Sequence, residues 1–76
     1  MTLADYMNPA RFPLTTQPGL TAKQQLMIDD FNFNQMSQAV KEEGRTLAGE
    51  DLARWNELQE KAEHRGRLLE ELKGAG

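Results

Sequence analysis

The distribution of proline is the feature that most constrains what this chain can fold into. Pro9, Pro13 and Pro18 all lie near the N-terminus, and residues 19–76 contain no proline. Proline lacks an amide donor and pushes the residue before it out of the helical region. Asn8-Pro9 and Pro18-Gly19 are also turn-like dipeptides. We therefore predict an all-α fold in which residues 1–20, the N-terminal segment, form an extended arm with at most one helical turn.

The first long helix is predicted at about residues 21–43. Thr21 and Gln24 have the spacing of a capping box, in which the hydroxyl accepts from the third helical amide and the glutamine accepts from the cap amide. Gly44 is placed to end the helix because glycine readily adopts the left-handed conformation found after helix C-termini. Lys41 lies near that end, where a cation suits the helix dipole.

The second long helix is predicted at about residues 47–73, followed by a frayed tail at 74–76. Thr46 or Gly49 is the candidate N-cap, and Glu50 and Asp51 lie where acidic groups suit the dipole. Because the link between the two helices is short, an antiparallel two-helix hairpin over residues 21–73 is the simplest topology.

The second helix has one apolar stripe, which is formed by Trp55, Leu58, Ala62, Leu69 and Leu72. Its opposite side is predicted to be solvated, with Glu57 and Lys61 as an exposed i, i+4 pair. The first helix is apolar on two roughly opposite sides. One side holds Met27, Ile28, Phe31 and Ala39; the other holds Leu26, Phe33 and Val40, with Met36 between the two sides.

A two-helix hairpin covers only one side of the first helix, so the other side needs another contact. The candidates are the N-terminal segment, a second copy in a four-helix bundle, or a foreign partner, since exposed apolar patches usually mark contact sites. The N-terminal segment itself contains large apolar residues, namely Leu3, Tyr6, Met7, Phe12 and Leu14. They either fold back over the hairpin or lie in grooves of a partner.

Association is expected on size alone. A chain of 76 residues without cysteine buries a limited core, and small proteins of this kind usually need a staple such as a partner chain. Arg65 falls beside the apolar stripe, where it needs a carboxylate partner unless it reaches water along its stem. The residues predicted to bind a protein partner or a second copy are Tyr6, Phe12, Leu26, Phe33, Met36, Val40, Arg65 and Arg67.

The residues do not suggest enzymatic chemistry. The chain has no cysteine and one histidine, His64, which is too few for a zinc site. Ser37 is the only serine and has no neighbouring base, and no phosphate-binding glycine loop is present. We therefore expect no catalytic site, no cofactor, no metal and no small-molecule substrate.

Charge and hydropathy restrict the partners and the location. Nine basic and twelve acidic residues give a net charge of −3, which disfavours nucleic acid. No stretch approaches the roughly 20 apolar residues of a membrane span, and no signal peptide is visible. We expect a cytoplasmic protein, or one incorporated in an assembly formed there.

The leading hypothesis is a small structural or adaptor component of a larger assembly such as a phage virion. The alternative is a small inhibitor or regulator that binds and blocks a bacterial protein complex.

Overall fold

The fold consists of three helices, described here from a computed structural model that covers the backbone of residues 2–75 and the side chains of residues 2–74. A short helix, α1, spans Leu3–Tyr6 and is followed by two long helices, α2 at Ala22–Lys41 and α3 at Gly49–Ala75. Within residues 2–75 there is no β-strand. The predicted all-α class is confirmed, and the two long helices pack against each other.

Helix α2 begins as its sequence predicts. The Gln24 amide donates to Thr21 Oγ1 over 3.1 Å, and the Thr21 amide donates to Gln24 Oε1 over 3.0 Å. The helix ends at Lys41, two residues before the predicted end. Gly44 then adopts a φ of +68°, and the next amide, from Arg45, donates back to the Ala39 carbonyl.

Helix α3 begins at Gly49, which has a φ of +60°, and acidic Glu50 and Asp51 lie in its first turn. The helix continues to Ala75, so the structure has regular helix at residues 74 and 75 where the sequence predicts a frayed tail. Gly76 lies outside the described residues.

The long helices run antiparallel. Phe33 stacks on Trp55 with ring centroids 5.2 Å apart, close to the turn that joins the helices. Farther from that turn, Lys61 Nζ lies 2.7 Å from Asp29 Oδ2. Near the open end, Leu26 and Leu68 belong to one buried cluster together with Tyr6. In these three contacts, lower residue numbers in α2 pair with higher residue numbers in α3, as antiparallel helices require.

The N-terminal segment is folded onto the hairpin, in contrast to the extended arm that its prolines predict. After α1 the chain makes successive turns, in which the Phe12 amide donates to Asn8 and the Thr16 amide donates to Phe12. Tyr6 and Phe12 are both fully buried. The prolines stop a long helix but are compatible with turns, and burial of the two rings favours the compact path. Met1 lies outside the described residues.

Candidate interaction surface

A cluster of buried polar side chains holds the N-terminal segment against both long helices. Its centre is Asp29, which accepts hydrogen bonds from Tyr6 Oη at 2.8 Å, Gln25 Nε2 at 2.8 Å and Lys61 Nζ at 2.7 Å. Gln25 also donates to the Thr15 carbonyl, and its Oε1 accepts from the Gln17 amide, each over 2.8 Å. The cluster therefore joins α1, the turns after it, α2 and α3.

The buried ammonium of Lys61 is held by charge and by aromatic rings. Its Nζ lies 4.8 Å from the Tyr6 ring centroid and 5.2 Å from that of Phe12, in addition to its ion pair with Asp29. Burial lowers the pKa of Lys61, and the Asp29 carboxylate opposes that shift. Burial also raises the pKa of Tyr6 above its ordinary value of 10.0, opposed by the hydrogen bond from Arg65. Tyr6, Asp29 and Lys61 are closed to solvent, so their polar groups serve the fold.

The structure contradicts the predicted exposed pair of Glu57 and Lys61. Lys61 points into the core, and Glu57 instead accepts from the amides of Leu14 and Thr15 and from the Thr15 hydroxyl. On an isolated helix, the four-residue spacing would allow Glu57 and Lys61 to pair with each other. The folded-back N-terminal segment supplies unpaired amides that compete successfully for the Glu57 carboxylate.

Arg65 is buried between the N-terminal segment and α2. Its guanidinium lies 5.0 Å from the Phe33 ring centroid, its Nε lies 3.8 Å from Asp30 Oδ1, and its NH1 lies 3.5 Å from Tyr6 Oη. These contacts agree with the expectation that an arginine beside the apolar stripe needs a carboxylate. Arg67, the other predicted partner-binding arginine, is exposed on α3.

The other predicted partner-binding residues are buried or half-buried by contacts inside the protein. Tyr6, Phe12 and Leu26 are fully buried, and Phe33 is half-buried in its stack on Trp55. The same side of α2 presents Met36 and Val40, both of which are half-buried. The structure thus places the Leu26, Phe33 and Val40 side of α2 inside the hairpin and the N-terminal segment.

The opposite side of α2 is where apolar surface remains exposed. Phe31 is 62% exposed to solvent and Met27 is 55% exposed, and the two lie one helical turn apart. We call this pair of residues the α2 patch. It is bordered on the same helix by exposed polar residues, of which Gln24, Asn34, Gln35 and Gln38 are uncharged and Lys23 and Asp30 are charged.

The sequence contains a signal that could have identified the buried side of α2. At 100° per residue, Asp29 lies on the same side of α2 as Leu26 and Phe33, roughly 60° from the first and roughly 40° from the second. Gln25 is one turn before it. Polar residues such as Gln25 and Asp29 on an apolar side of a helix indicate either that this side is partly exposed or that it contains a buried hydrogen-bonded cluster. The structure shows the buried cluster.

Two surface clefts accompany the patch without overlapping it. A cleft of about 590 Å³ lies at the turn between α2 and α3, where Met36, Glu43, Arg45 and Leu47 contribute to its walls. A smaller cleft of about 380 Å³ lies beside the turns of the N-terminal segment, between Met7 and Leu20. In the described part of the chain, no group of three or more His, Asp or Glu side chains is arranged to hold a metal ion.

The helices of residues 2–75 include none that is both long and apolar enough to cross a membrane.

Comparison with known proteins gives no relationship from which to transfer a function. No protein-family model matches the chain, and neither a curated protein nor a solved structure shows significant similarity to it. The surface of the protein is therefore the basis for inferring its function.

Proposed function

We propose that this protein is a non-enzymatic interaction protein that acts as a small structural or adaptor component of a larger assembly, such as a phage virion. The supporting observation is the α2 patch, in which Phe31 and Met27 are more than half exposed, whereas the four other aromatic side chains are buried or half-buried. Large exposed apolar side chains in neighbouring positions mark contact sites in soluble proteins. Aromatic residues and methionine are also enriched at protein interfaces.

The charge distribution supports an adaptor, because the molecule has a second surface of different character. The outer side of α3 has an excess of acidic groups: Glu60, Glu63, Glu70 and Glu71 are exposed there around Arg67, and Glu60 pairs with Arg11. An apolar surface on one helix and an acidic surface on the other allow one small chain to contact two different neighbours. The N-terminal segment, which the sequence suggested as a bridge to a neighbour, instead packs against both long helices through Tyr6 and Thr15.

The alternative function is a small inhibitor that blocks a bacterial protein complex. The acidic outer side of α3 favours it, because that surface is suited to covering a basic site. The two functions make different demands on the two surfaces. An adaptor needs the α2 patch for incorporation, whereas an inhibitor of this type needs the acidic side of α3 and tolerates changes in the patch.

Sedimentation of the tagged protein from its producing cells tests the proposal. The wild-type chain is expected in fast-sedimenting particles, and Phe31→Glu is expected at the top of the gradient as free protein. Leu52→Glu is the matched control, since Leu52 is a similarly exposed apolar residue on α3 (42%), and it should sediment like the wild type. Wild-type protein found only as a free species would contradict the structural role.

A further inference from the structure

We infer that the N-terminal segment exchanges between two copies of this chain, so that the segment of each copy packs on the hairpin of the other. This inference goes beyond the proposed function, since it concerns the hairpin surface beneath the segment and not the α2 patch. Exchange of an identical element between protomers is a low-cost route to a dimer, because the contacts of the monomer are used again. The occupant of that surface in the dimer is therefore residues 2–17 of a second copy.

The N-terminal segment forms its turns through hydrogen bonds of its own. The Asp5 amide donates to Thr2 Oγ1 in the cap of α1. Farther along, the Phe12 amide donates to the Asn8 carbonyl and the Thr16 amide donates to the Phe12 carbonyl. All of these bonds join residues three or four positions apart. The segment can therefore adopt the same turns on either hairpin.

The hairpin surface beneath the segment is specific for this sequence. At its centre, the Asp29 carboxylate accepts from the Tyr6 hydroxyl, and the rings of Tyr6 and Phe12 lie beside the Lys61 ammonium. At its edge, the Glu57 carboxylate accepts from the backbone amides of residues 14 and 15. A hydroxyl, two rings and two free amides at these positions are what residues 6–15 of this chain supply. A second copy of the segment therefore fits the surface as well as the first.

The connection between the segment and α2 has the properties of a hinge. In the described structure, hydrogen bonds stop at the Gln17 amide and resume at the capping box of Thr21, so residues 18–20 take part in none. The capping box joins Thr21 to Gln24 only, so α2 can begin at the same residue wherever the segment lies. The chain turns within the hinge, where Gly19 has a φ of +85°.

An exchanged dimer requires this hinge to be extended. Three extended residues span about 10 Å, so the α2 N-termini of the two copies lie close together and the two hinges run side by side. Pro18 suits this path because its ring fixes φ at a value found in extended chains. The positive φ at Gly19 belongs to the turn of the monomer, and an extended hinge does not need it. The two arrangements therefore make different demands on residue 19.

Concentration decides between monomer and dimer, because the contacts of the segment are the same in both. A segment on a short linker has an effective concentration on the order of 1 mM at its own hairpin. The monomer should dominate in dilute solution, and the exchanged dimer should appear as the chain approaches about 1 mM. Because the segment and the hairpin share one core, exchange proceeds through unfolded chains. The concentration during refolding therefore sets the proportion of dimer.

Cross-linking of an exposed ion pair shows which copy holds the segment, and the chain has no cysteine to interfere. Arg11→Cys with Glu60→Cys replaces an ion pair of 3.2 Å between the segment and α3. The protein is refolded at about 1 mM, separated by gel filtration and treated with a short bis-maleimide. The dimer fraction should give covalent dimers on a denaturing gel, and the monomer fraction should give monomers. The control Glu50→Cys with Arg54→Cys, a similarly exposed pair within α3, should give monomers from both fractions.

A substitution in the hinge should shift the equilibrium towards the dimer. Gly19→Val disfavours the positive φ of the monomer by about fivefold or more, and the extended hinge tolerates valine. Since a dimer contains two hinges, the midpoint concentration should fall about 25-fold. Gly44→Val is the matched control, because Gly44 has a φ of +68° and equally open surroundings in a turn that monomer and dimer share. It should leave the midpoint unchanged.

Three results would overturn the inference. The first is a wild-type chain that stays monomeric after refolding at about 1 mM. The second is a dimer in which the cysteines at positions 11 and 60 are cross-linked only within each chain. The third is a dimer favoured by Gly44→Val and not by Gly19→Val, which would place the hinge between α2 and α3. None of these results affects the proposed function, which the sedimentation of Phe31→Glu tests separately.

Discussion

Asp29 connects more of the chain than any single apolar contact does, because one carboxylate accepts from Tyr6, Gln25 and Lys61. Removing it leaves the Lys61 ammonium buried without a counter-ion, which typically costs about 3–5 kcal/mol. A chain of this length has a total free energy of unfolding of about 4–11 kcal/mol. Urea denaturation should therefore show Asp29→Ala to be largely unfolded or severely destabilised.

Asp51→Ala is the matched control for this prediction, because Asp51 is exposed in the first turn of α3. It should cost less than about 1 kcal/mol, the usual contribution of an exposed acidic group to the helix dipole. Combining Asp29→Leu with Lys61→Met should recover part of the loss, since replacing both charges removes the buried unpaired group. Equal costs for Asp29→Ala and Asp51→Ala would show that the buried pair does not stabilise the fold.

Tyr6 should make stability depend on alkaline pH. Its pKa is raised in the folded state by burial, so the folded protein keeps the phenol proton after the unfolded chain has begun to lose it at pH 10.0. The contribution is complete below that pH and declines as the pH rises above it, by at most about 1.4 kcal/mol per pH unit. Lys61, with a lowered pKa, acts in the opposite direction in the same range.

The comparison of wild type with Tyr6→Phe separates these two effects, since both proteins contain Lys61. Unfolding free energies measured by urea between pH 8 and pH 11 should fall more steeply for the wild type above pH 10. Below that pH, Tyr6→Phe should be less stable by about 1–3 kcal/mol, because its ring no longer donates to Asp29. Parallel pH profiles for the two proteins would argue against the shifted phenol.

The buried cluster is also where sequence reasoning was least successful. Lys61 lies opposite the apolar stripe of its own helix, and that position predicts exposure to solvent if the helix has only one neighbour. The folded-back N-terminal segment is a second neighbour that covers the Lys61 side. A long-range contact of this kind, between residues 23 to 59 positions apart, leaves no periodic signal in the sequence.

Element boundaries were more predictable, because local chemistry sets them. The capping box at Thr21 and Gln24 and the positive φ at Gly44 both follow from residues within a few positions of the helix end. The path of the N-terminal segment was not predictable in the same way. Prolines exclude a long helix but do not distinguish an extended chain from turns, and burial of Tyr6 and Phe12 decides between them.

Two glycines should respond in opposite directions to alanine. Gly66 lies inside α3, and a Cβ added there meets no atom within 4 Å, so Gly66→Ala should raise the free energy of unfolding by about 0.5–1 kcal/mol. Gly44 has the same open surroundings but a φ of +68°, which is unfavourable for a residue with a Cβ atom. Gly44→Ala should therefore lower the free energy of unfolding by about 1 kcal/mol. Thermal and urea unfolding of the two variants measure both effects. A destabilising Gly66→Ala would indicate that another chain approaches α3 at that position.

At the scale of the whole molecule, the N-terminal segment belongs to the same core as the hairpin. Tyr6 contributes to the apolar cluster with Leu26 and Leu68, and Glu57 binds the amides of residues 14 and 15. Deleting residues 2–19 should therefore unfold the hairpin, since the apolar surface beneath Tyr6 and Phe12 would be exposed to water. Such a deletion would abolish any function, so point changes in the α2 patch are the sharper test of a partner.

Because the N-terminal segment and the hairpin share one core, the whole protein should unfold in a single transition. The chain has one tyrosine and one tryptophan, and Tyr6 reports on the N-terminal segment while Trp55 reports on the hairpin. Fluorine NMR of a fluorinated Tyr6 and fluorescence of Trp55, followed in the same urea series, should give coincident midpoints, as a two-state domain requires. If Tyr6 is released at lower urea than Trp55, the hairpin is stable alone and the segment is a detachable arm. In that case the segment would be free to bind a neighbouring subunit, as the anchoring residues Tyr6 and Phe12 first suggested.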